Sequence, residues 1–333
     1  MAAKGGKYQF DESGGKTMGF FKKKQPEQPQ PDPKTQREEN PAGQMDPTIR
    51  PGGVFMVQLL MKEKCEVPDT ARMTEVLERH IGRVEAAEPS GQTADTMKDM
   101  ALFAALDHLG RFRDGKKLPV QVAVMPCDTF HPEKIDDMRR SQMWDCLQDR
   151  DKLLSECGYC VFANDMLCGA LPPLERADFD MDFLEALLEL YPGCEAVYCL
   201  NSGKLVLADA IRNGEAEGPD RFIRYAVNAR FFNISGTGDH IVDTLGLSLL
   251  YIEDLQYHFH GMDPNWVVNH AYNMASYILA NDRPIKDGDT IDGVTDGRLD
   301  QSLQWQCHFE DAMVQPKRPV LDVHMNEFAA GNR

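Results

Sequence analysis

Apolar positions along this chain alternate between two rhythms. Continuous or every-other-residue runs suit strands, and three-to-four-residue spacings suit helices. Val54 to Met61 is nearly continuous apolar, the pattern of a strand covered on both faces. Pro68-Asp69 opens a predicted helix with Met73, Val76, Leu77, Ile81 and Val84 at helical spacing, and His80 beside that face. A second helix is predicted over Ala94 to Leu109 and a strand over Val120 to Val124. A long helix is predicted from Ile135 to Cys157, with Met143, Leu147 and Leu154 inward, followed by a strand from Tyr159 to Ala163. Met181, Leu184, Leu187, Leu188 and Tyr191 mark a further helix, closed by Pro192-Gly193. Cys194 to Leu200 and Lys204 to Ala208 read as strands.

Gly214 to Pro219 is a polar break between two halves. Beyond it the pattern is richer in strands: Tyr225 to Ile234, Ile241 to Leu247, Leu255 to Phe259, Trp305 to Val314 and Pro319 to Met325. One helix is predicted over Pro264 to Ala280, with Asp263 as its N-cap and Val267, Ala271, Met274, Ala275 and Ile278 as its buried stripe. His270 shares a neighbouring stripe with Trp266, Asn273 and Tyr277. The expected fold is α+β, in two abutting halves over residues 51–213 and 219–327, each a mixed or antiparallel sheet with packed helices. Residues 1–50 are expected to be a disordered tail, since the run from Gln25 to Pro33 has a proline at every second or third position.

Composition adds exclusions. The net charge is −17, and residues 1–50 carry nine Lys/Arg and seven Asp/Glu, so the remainder carries 27 basic and 46 acidic groups, or −19. An acidic body repels phosphate backbones, which argues against nucleic-acid binding and allows a basic protein partner. The longest apolar runs fall well short of the roughly twenty residues a membrane-spanning helix needs, so no stable membrane association is expected. No basic-then-apolar leader opens the chain, and the expected location is cytoplasmic. The nine cysteines form no repeating framework and read as reduced thiols. Gly14-Gly15-Lys16-Thr17 has Phe10 where a phosphate-binding loop needs glycine, and no nucleotide or flavin motif is present elsewhere.

A set of short motifs recurs in order through the last third. Asn228-Ala229-Arg230-Phe231-Phe232-Asn233 leads to Asp243-Thr244-Leu245-Gly246-Leu247, then Leu255-Gln256-Tyr257-His258-Phe259 and Gly261-Met262-Asp263-Pro264. Asp287-Gly288-Asp289-Thr290-Ile291 and Pro316-Lys317-Arg318-Pro319-Val320-Leu321-Asp322 follow. This order resembles the bacterial family known as domain of unknown function 4261, over about residues 225–325. The resemblance implies a soluble bacterial protein and attaches no reaction or catalytic residue to it.

Three constellations carry candidate chemistry. In a strand, His258 and His260 would face the same way and approach one divalent metal, with Asp243, Asp263, His270 or His308 completing the set for water activation. Against this, the pair lacks a helical metal-binding spacing, Gly261 interrupts the strand, and Asp263 serves as a helix cap. Cys157-Gly158-Tyr159-Cys160 has the spacing of a thiol redox pair, yet it follows a helix and enters a strand, the reverse of the context that stabilises a thiolate. Asp287, Asp289, Asp292, Asp296 and Asp300 lack the order of a calcium loop and read as turn residues. Arg230, inside an apolar strand, calls for a carboxylate partner such as Asp243 or a substrate carboxylate. No catalytic set assembles from these residues. The favoured reading is a non-enzymatic binding or protein-interaction module, ahead of a metal-dependent hydrolase using His258 and His260 and a thiol redox protein using Cys157 and Cys160.

Overall fold

The structure, a computed structural model, describes residues 53–87, 100–112 and 114–331. The expected tail, residues 1–50, lies outside the described residues. Fourteen strands and seven α-helices are present among the described residues, and the fold is α+β.

The first sheet comprises β1 (Met56–Met61), β2 (Val84–Ala87), β3 (Ala101–Arg111), β4 (Lys117–Val124), β5 (Asp128–Thr129), β6 (Tyr159–Met166), β7 (Cys194–Cys199) and β8 (Lys204–Leu207). Its order is β2-β3-β4-β6-β1-β7-β8, with β5 on β6, and every pairing is antiparallel. The second sheet comprises β9 (Asn228–Asn233), β10 (His240–Leu245), β11 (Asp254–Phe259), β12 (Thr290–Thr295), β13 (Arg298–Asp311) and β14 (Pro319–His324). Its order is β12-β13-β14-β11-β10-β9, antiparallel except between β11 and β14. The helices are α1 (Thr70–Ile81), α2 (Asp137–Ser141), α3 (Arg150–Glu156), α4 (Pro173–Leu190), α5 (Ala208–Arg212), α6 (Asp220–Ala226) and α7 (Pro264–Ala280).

One continuous core joins inward side chains of both sheets through helices between them: Val57 and Leu59 of β1, Phe179 and Phe183 of α4, Val267 and Met274 of α7, and Tyr257 of β11. The opposite face of the first sheet carries a smaller core, where Leu60 and Tyr198 pack with Phe130, Met143, Leu153 and Leu154. Both faces of β1 are therefore covered, which explains its unbroken apolar run.

Several elements depart from the sequence pattern, each for a local reason. Ala101 to Leu109 is strand, not helix; β2 and β4 hydrogen-bond on either side of it, and this pairing outweighs the helical preference of its alanines. Residues 94–99 of that expected helix lie outside the described residues. Val84 belongs to β2 rather than to α1, because the chain turns at Gly82 with φ +75°. The long helix expected from Ile135 to Cys157 is broken into α2, a 3-10 turn at Trp144–Cys146 and α3. Gln142 ends α2 by turning its side chain to the second sheet. Tyr225 lies in α6, so β9 begins at Asn228. The Asp/Gly-rich stretch read as turns contains β12, whose pairing with β13 shifts register at Asp292/Gly293. A Cβ at Gly293 would come within 2.8 Å of Trp305 and Leu303, so the glycine lets this strand pass close beneath two large side chains.

Candidate functional site

The residues singled out in the last third distribute over two faces of the second sheet. Along β11, Leu255, Tyr257 and Phe259 point to the helix-covered core, so Gln256 and His258 point to the other face. Asp243 pairs across β10 with Gln256 and with Arg230 of β9, which places Arg230 and Asp243 on that same outer face.

Arg230 and Asp243 form the anticipated pair. Arg230 donates from Nε to Asp243 Oδ1 at 2.8 Å and from Nη2 to Oδ2 at 2.5 Å. A second guanidinium completes the group. Arg318 donates from Nη2 to Asp243 Oδ2 at 2.7 Å and from Nε to Asp254 Oδ2 at 2.8 Å. Asp254 Oδ1 accepts from Leu247 N and from Thr244 Oγ1. Burial pushes the Asp254 carboxyl up, and the Arg318 charge opposes that shift. Two arginines and two aspartates cancel in charge, and Asp243 and Asp254 are fully buried. The remaining donors fasten the loop between β13 and β14. Arg230 Nη1 bonds to Gln315 O, Arg318 Nη1 to Pro316 O, and Met313 N to Gln256 Oε1, while Gln256 Nε2 bonds to Asp322. The network clamps a loop over the sheet, and its carboxylates and guanidiniums are turned toward one another.

The histidines do not converge. His258 is largely buried on the outer face, with Nε2 4.0 Å from Asp239 Oδ2 and its ring against Gly331. His260 lies beyond the end of β11 and is exposed, and its main-chain N–H donates to Phe328 O. Same-face geometry between the two needed a strand that continued. The chain instead ends β11 at Phe259 and bends at Gly261, φ +66°. Among the described residues, no third His, Cys, Asp or Glu joins His258 and His260 at ligand spacing. His270 is fully buried in the core rather than beside it, and a T-shaped contact sets it on Trp305. Its Nδ1 faces Tyr257 Oη at 2.9 Å and its Nε2 faces Asp292 O at 2.9 Å. Burial lowers His270 to about 4, so the neutral ring donates from Nε2 to the carbonyl and accepts at Nδ1 from Tyr257. Asp263 caps α7, accepting from Asn265 N and Nδ2, as its position before Pro264 indicated.

Cys157 and Cys160 are buried in the smaller core, at the end of α3 and the start of β6. Burial pushes both thiols up to about 11, away from the thiolate form that redox exchange uses.

The sequence pattern did not reveal a second polar junction, between the first sheet and edge strand β9. Gln142 Nε2 donates to Phe231 O at 3.0 Å, and Phe231 N donates to Gln142 Oε1 at 2.8 Å. Trp144 Nε1 donates to the same Oε1, and Asn228 Nδ2 to Gln142 O. Nearby, the buried Lys204 ammonium bonds to Tyr272 Oη and Asp145 Oδ2, each at 3.0 Å. The signal for it was a lysine within an apolar strand, Lys204 of Lys204-Leu205-Val206-Leu207, which required a buried partner.

Residues 243–324 match the model of a family described as domain of unknown function, DUF4261. The match falls within the second sheet. The match runs from β10 to the end of β14, taking in Asp243, Asp254 and Arg318 of the clamp, with Arg230 just ahead of it. No curated protein and no solved structure matches the chain. Among the described residues, no helix is long and apolar enough to cross a membrane.

Proposed function

We propose that this protein is a non-enzymatic binding module that takes a protein partner on the segment from Asp136 to Asp151. The observation that carries this reading is the exposure of Met138, Trp144 and Leu147, at 55%, 41% and 52%, within ten residues of a segment held rigidly from behind. Gln142 fixes that segment to β9 and Asp145 fixes it to Lys204. Large apolar side chains displayed on a pre-ordered frame are the usual anchors of protein interfaces, because little ordering entropy remains to be lost on binding. Asp136, Asp137, Asp149 and Asp151 are exposed in the same segment, and Arg139 and Arg150 are engaged by Asp136 and Asp151. Together with the net charge of −17, this favours a partner that surrounds an apolar anchor with Lys or Arg.

The second sheet supports the reading from the other side. The Arg230, Asp243, Arg318 and Asp254 charges are spent on fastening a loop, and His270 on tying α7 to β11 and β12. The crevice between Ile252, Glu253, Ile278, Arg283, Ile285 and Leu321 measures about 10 Å³, room for a single water molecule.

The test compares three full-length proteins as baits in cell extract: the native chain, Met138→Ser/Leu147→Ser, and Leu118→Ser as a control at another exposed leucine. Trp144 is left intact because its indole supports Gln142. A specific protein retained by the native and Leu118→Ser baits and lost from the double variant supports the proposal. Identical retention by all three, or a turnover reaction abolished by changes at residues 258–263, would sink it.

A further inference from the structure

A separate buried charge cluster lies where β6, the turn after it and α4 meet. Asp165 closes β6, Cys168 sits in the 3-10 turn Cys168–Ala170, and Arg176 and Asp180 stand one helical turn apart on α4. All four are buried. Arg176 donates from Nη2 to Asp165 Oδ2 at 2.9 Å and to Gly53 O at 2.7 Å, and from Nη1 to Leu249 O. Asp165 Oδ1 accepts from Phe55 N at 2.6 Å. Asp180 differs from its neighbours. Its nearest opposite charge is Arg176 Nε, 3.5 Å from Oδ2, and neither of its carboxylate oxygens accepts a hydrogen bond.

Two carboxylates and one guanidinium leave an excess of one negative charge in a site closed to water. An excess of that kind requires a compensating cation or proton, since an unbalanced buried charge costs several kcal/mol. One ligand atom from each of Asp165, Cys168 and Asp180 lies within 4.8 Å of the other two. Three atoms so placed fit around a centre about 2.8 Å or less from each, so shifts of at most about 0.5 Å for the sulfur and about 0.8 Å for the oxygens bring them to zinc–sulfur and zinc–oxygen bond lengths. Cys168 Sγ donates to the Met166 carbonyl oxygen at 3.8 Å, which makes that oxygen the nearest main-chain candidate for a fourth ligand beside the sulfur.

We propose that Asp165, Cys168 and Asp180, with the Met166 carbonyl, hold a structural zinc ion. With Cys168 as thiolate, three anionic ligands, the divalent ion and Arg176 sum to zero charge. Arg176 is then the outer partner that orients Asp165. The thiolate selects zinc over calcium or magnesium, which take oxygen ligands. Through Arg176, the ion would tie the segment at Gly53, the first sheet, α4 and the turn at Leu249 into one unit.

The test is elemental analysis of the full chain purified with neither chelator nor metal-affinity tag, combined with thermal unfolding. The expected result is about one zinc per chain, lost in Asp180→Asn and Cys168→Ser, with chelator lowering the native midpoint and leaving those of the variants in place. If the variants do not fold, cobalt substitution of the native chain is expected to give a thiolate-to-metal charge-transfer band. Zinc below about a tenth of an equivalent, with no shift of the midpoint on adding zinc and no such band with cobalt, overturns the proposal and leaves a proton shared by the two carboxyls as the balancing charge.

Discussion

The side-chain amide of Gln142 satisfies both main-chain polar groups of Phe231, accepting from its N–H at 2.8 Å and donating to its carbonyl at 3.0 Å. Phe231 lies on β9, the edge of the second sheet. One glutamine thus stands in for a neighbouring strand, ties the end of α2 to the second sheet and covers part of an edge otherwise open to pairing with other chains. Gln142→Ala is expected to destabilise the fold by about 1–3 kcal/mol, the cost of leaving two half-buried main-chain groups without their protein partner. Urea unfolding measures this, and an unchanged midpoint would show that the contact contributes nothing.

Arg318 is the hub of the clamp on the second sheet, bridging Asp243 and Asp254. Arg318→Ala leaves two buried carboxylates with a single guanidinium, and a loss of about 3–5 kcal/mol is expected. Arg318→Lys keeps the charge but not the planar fork, so it is expected to recover less than half of that. Full recovery with lysine would mean that charge alone, not the two-pronged geometry, holds the loop.

His270 makes stability depend on pH. Its folded value of about 4 lies below the ordinary 6.5, so the unfolded chain takes up a proton that the folded chain refuses. The contribution is complete above pH 6.5 and is lost as pH falls toward 4. That gap corresponds to about 3 kcal/mol. His270→Gln is expected to be less stable at pH 7 and to flatten the decline between pH 6.5 and 4, as read from denaturant midpoints across that range. Parallel profiles for the two proteins would contradict this assignment.

With both thiols pushed up to about 11, Cys157 and Cys160 are expected to react slowly with a thiol reagent at pH 7 and quickly once denaturant is added. Rapid, reversible labelling of the folded protein would revive the redox reading.

Local signals and long-range pairings differ in how far they can be read from the chain. Asp263-Pro264 and the stripe from Val267 to Ile278 define α7 through its cap and its period, and the structure keeps both. The unbroken apolar run of β1 announced a strand buried on two faces. Arg230 within an apolar strand required a carboxylate, and Asp243 supplies it. Arg318 was less legible, because it lies in a loop 75 positions from Asp243 and becomes its neighbour only after β14 pairs with β11. β3 and β12 failed for opposite reasons. Alanines in β3 favour a helix until two neighbours pair with it, and the Asp/Gly content of β12 mimics a turn until Gly293 is seen beneath Trp305. Arg176 and Asp180 had a signal of their own, two charges four residues apart on a helical face shared with Phe183 and Leu187. Charges in a buried stripe require each other or a ligand.

Placing a photoreactive phenylalanine analogue at Leu147, and separately at Leu118, tests the proposed binding surface most directly. Illumination in living cells is predicted to join one defined protein to the chain from position 147, and to give no such product from position 118. The same products from both positions, or none from position 147, would contradict a binding surface on the Met138–Leu147 segment.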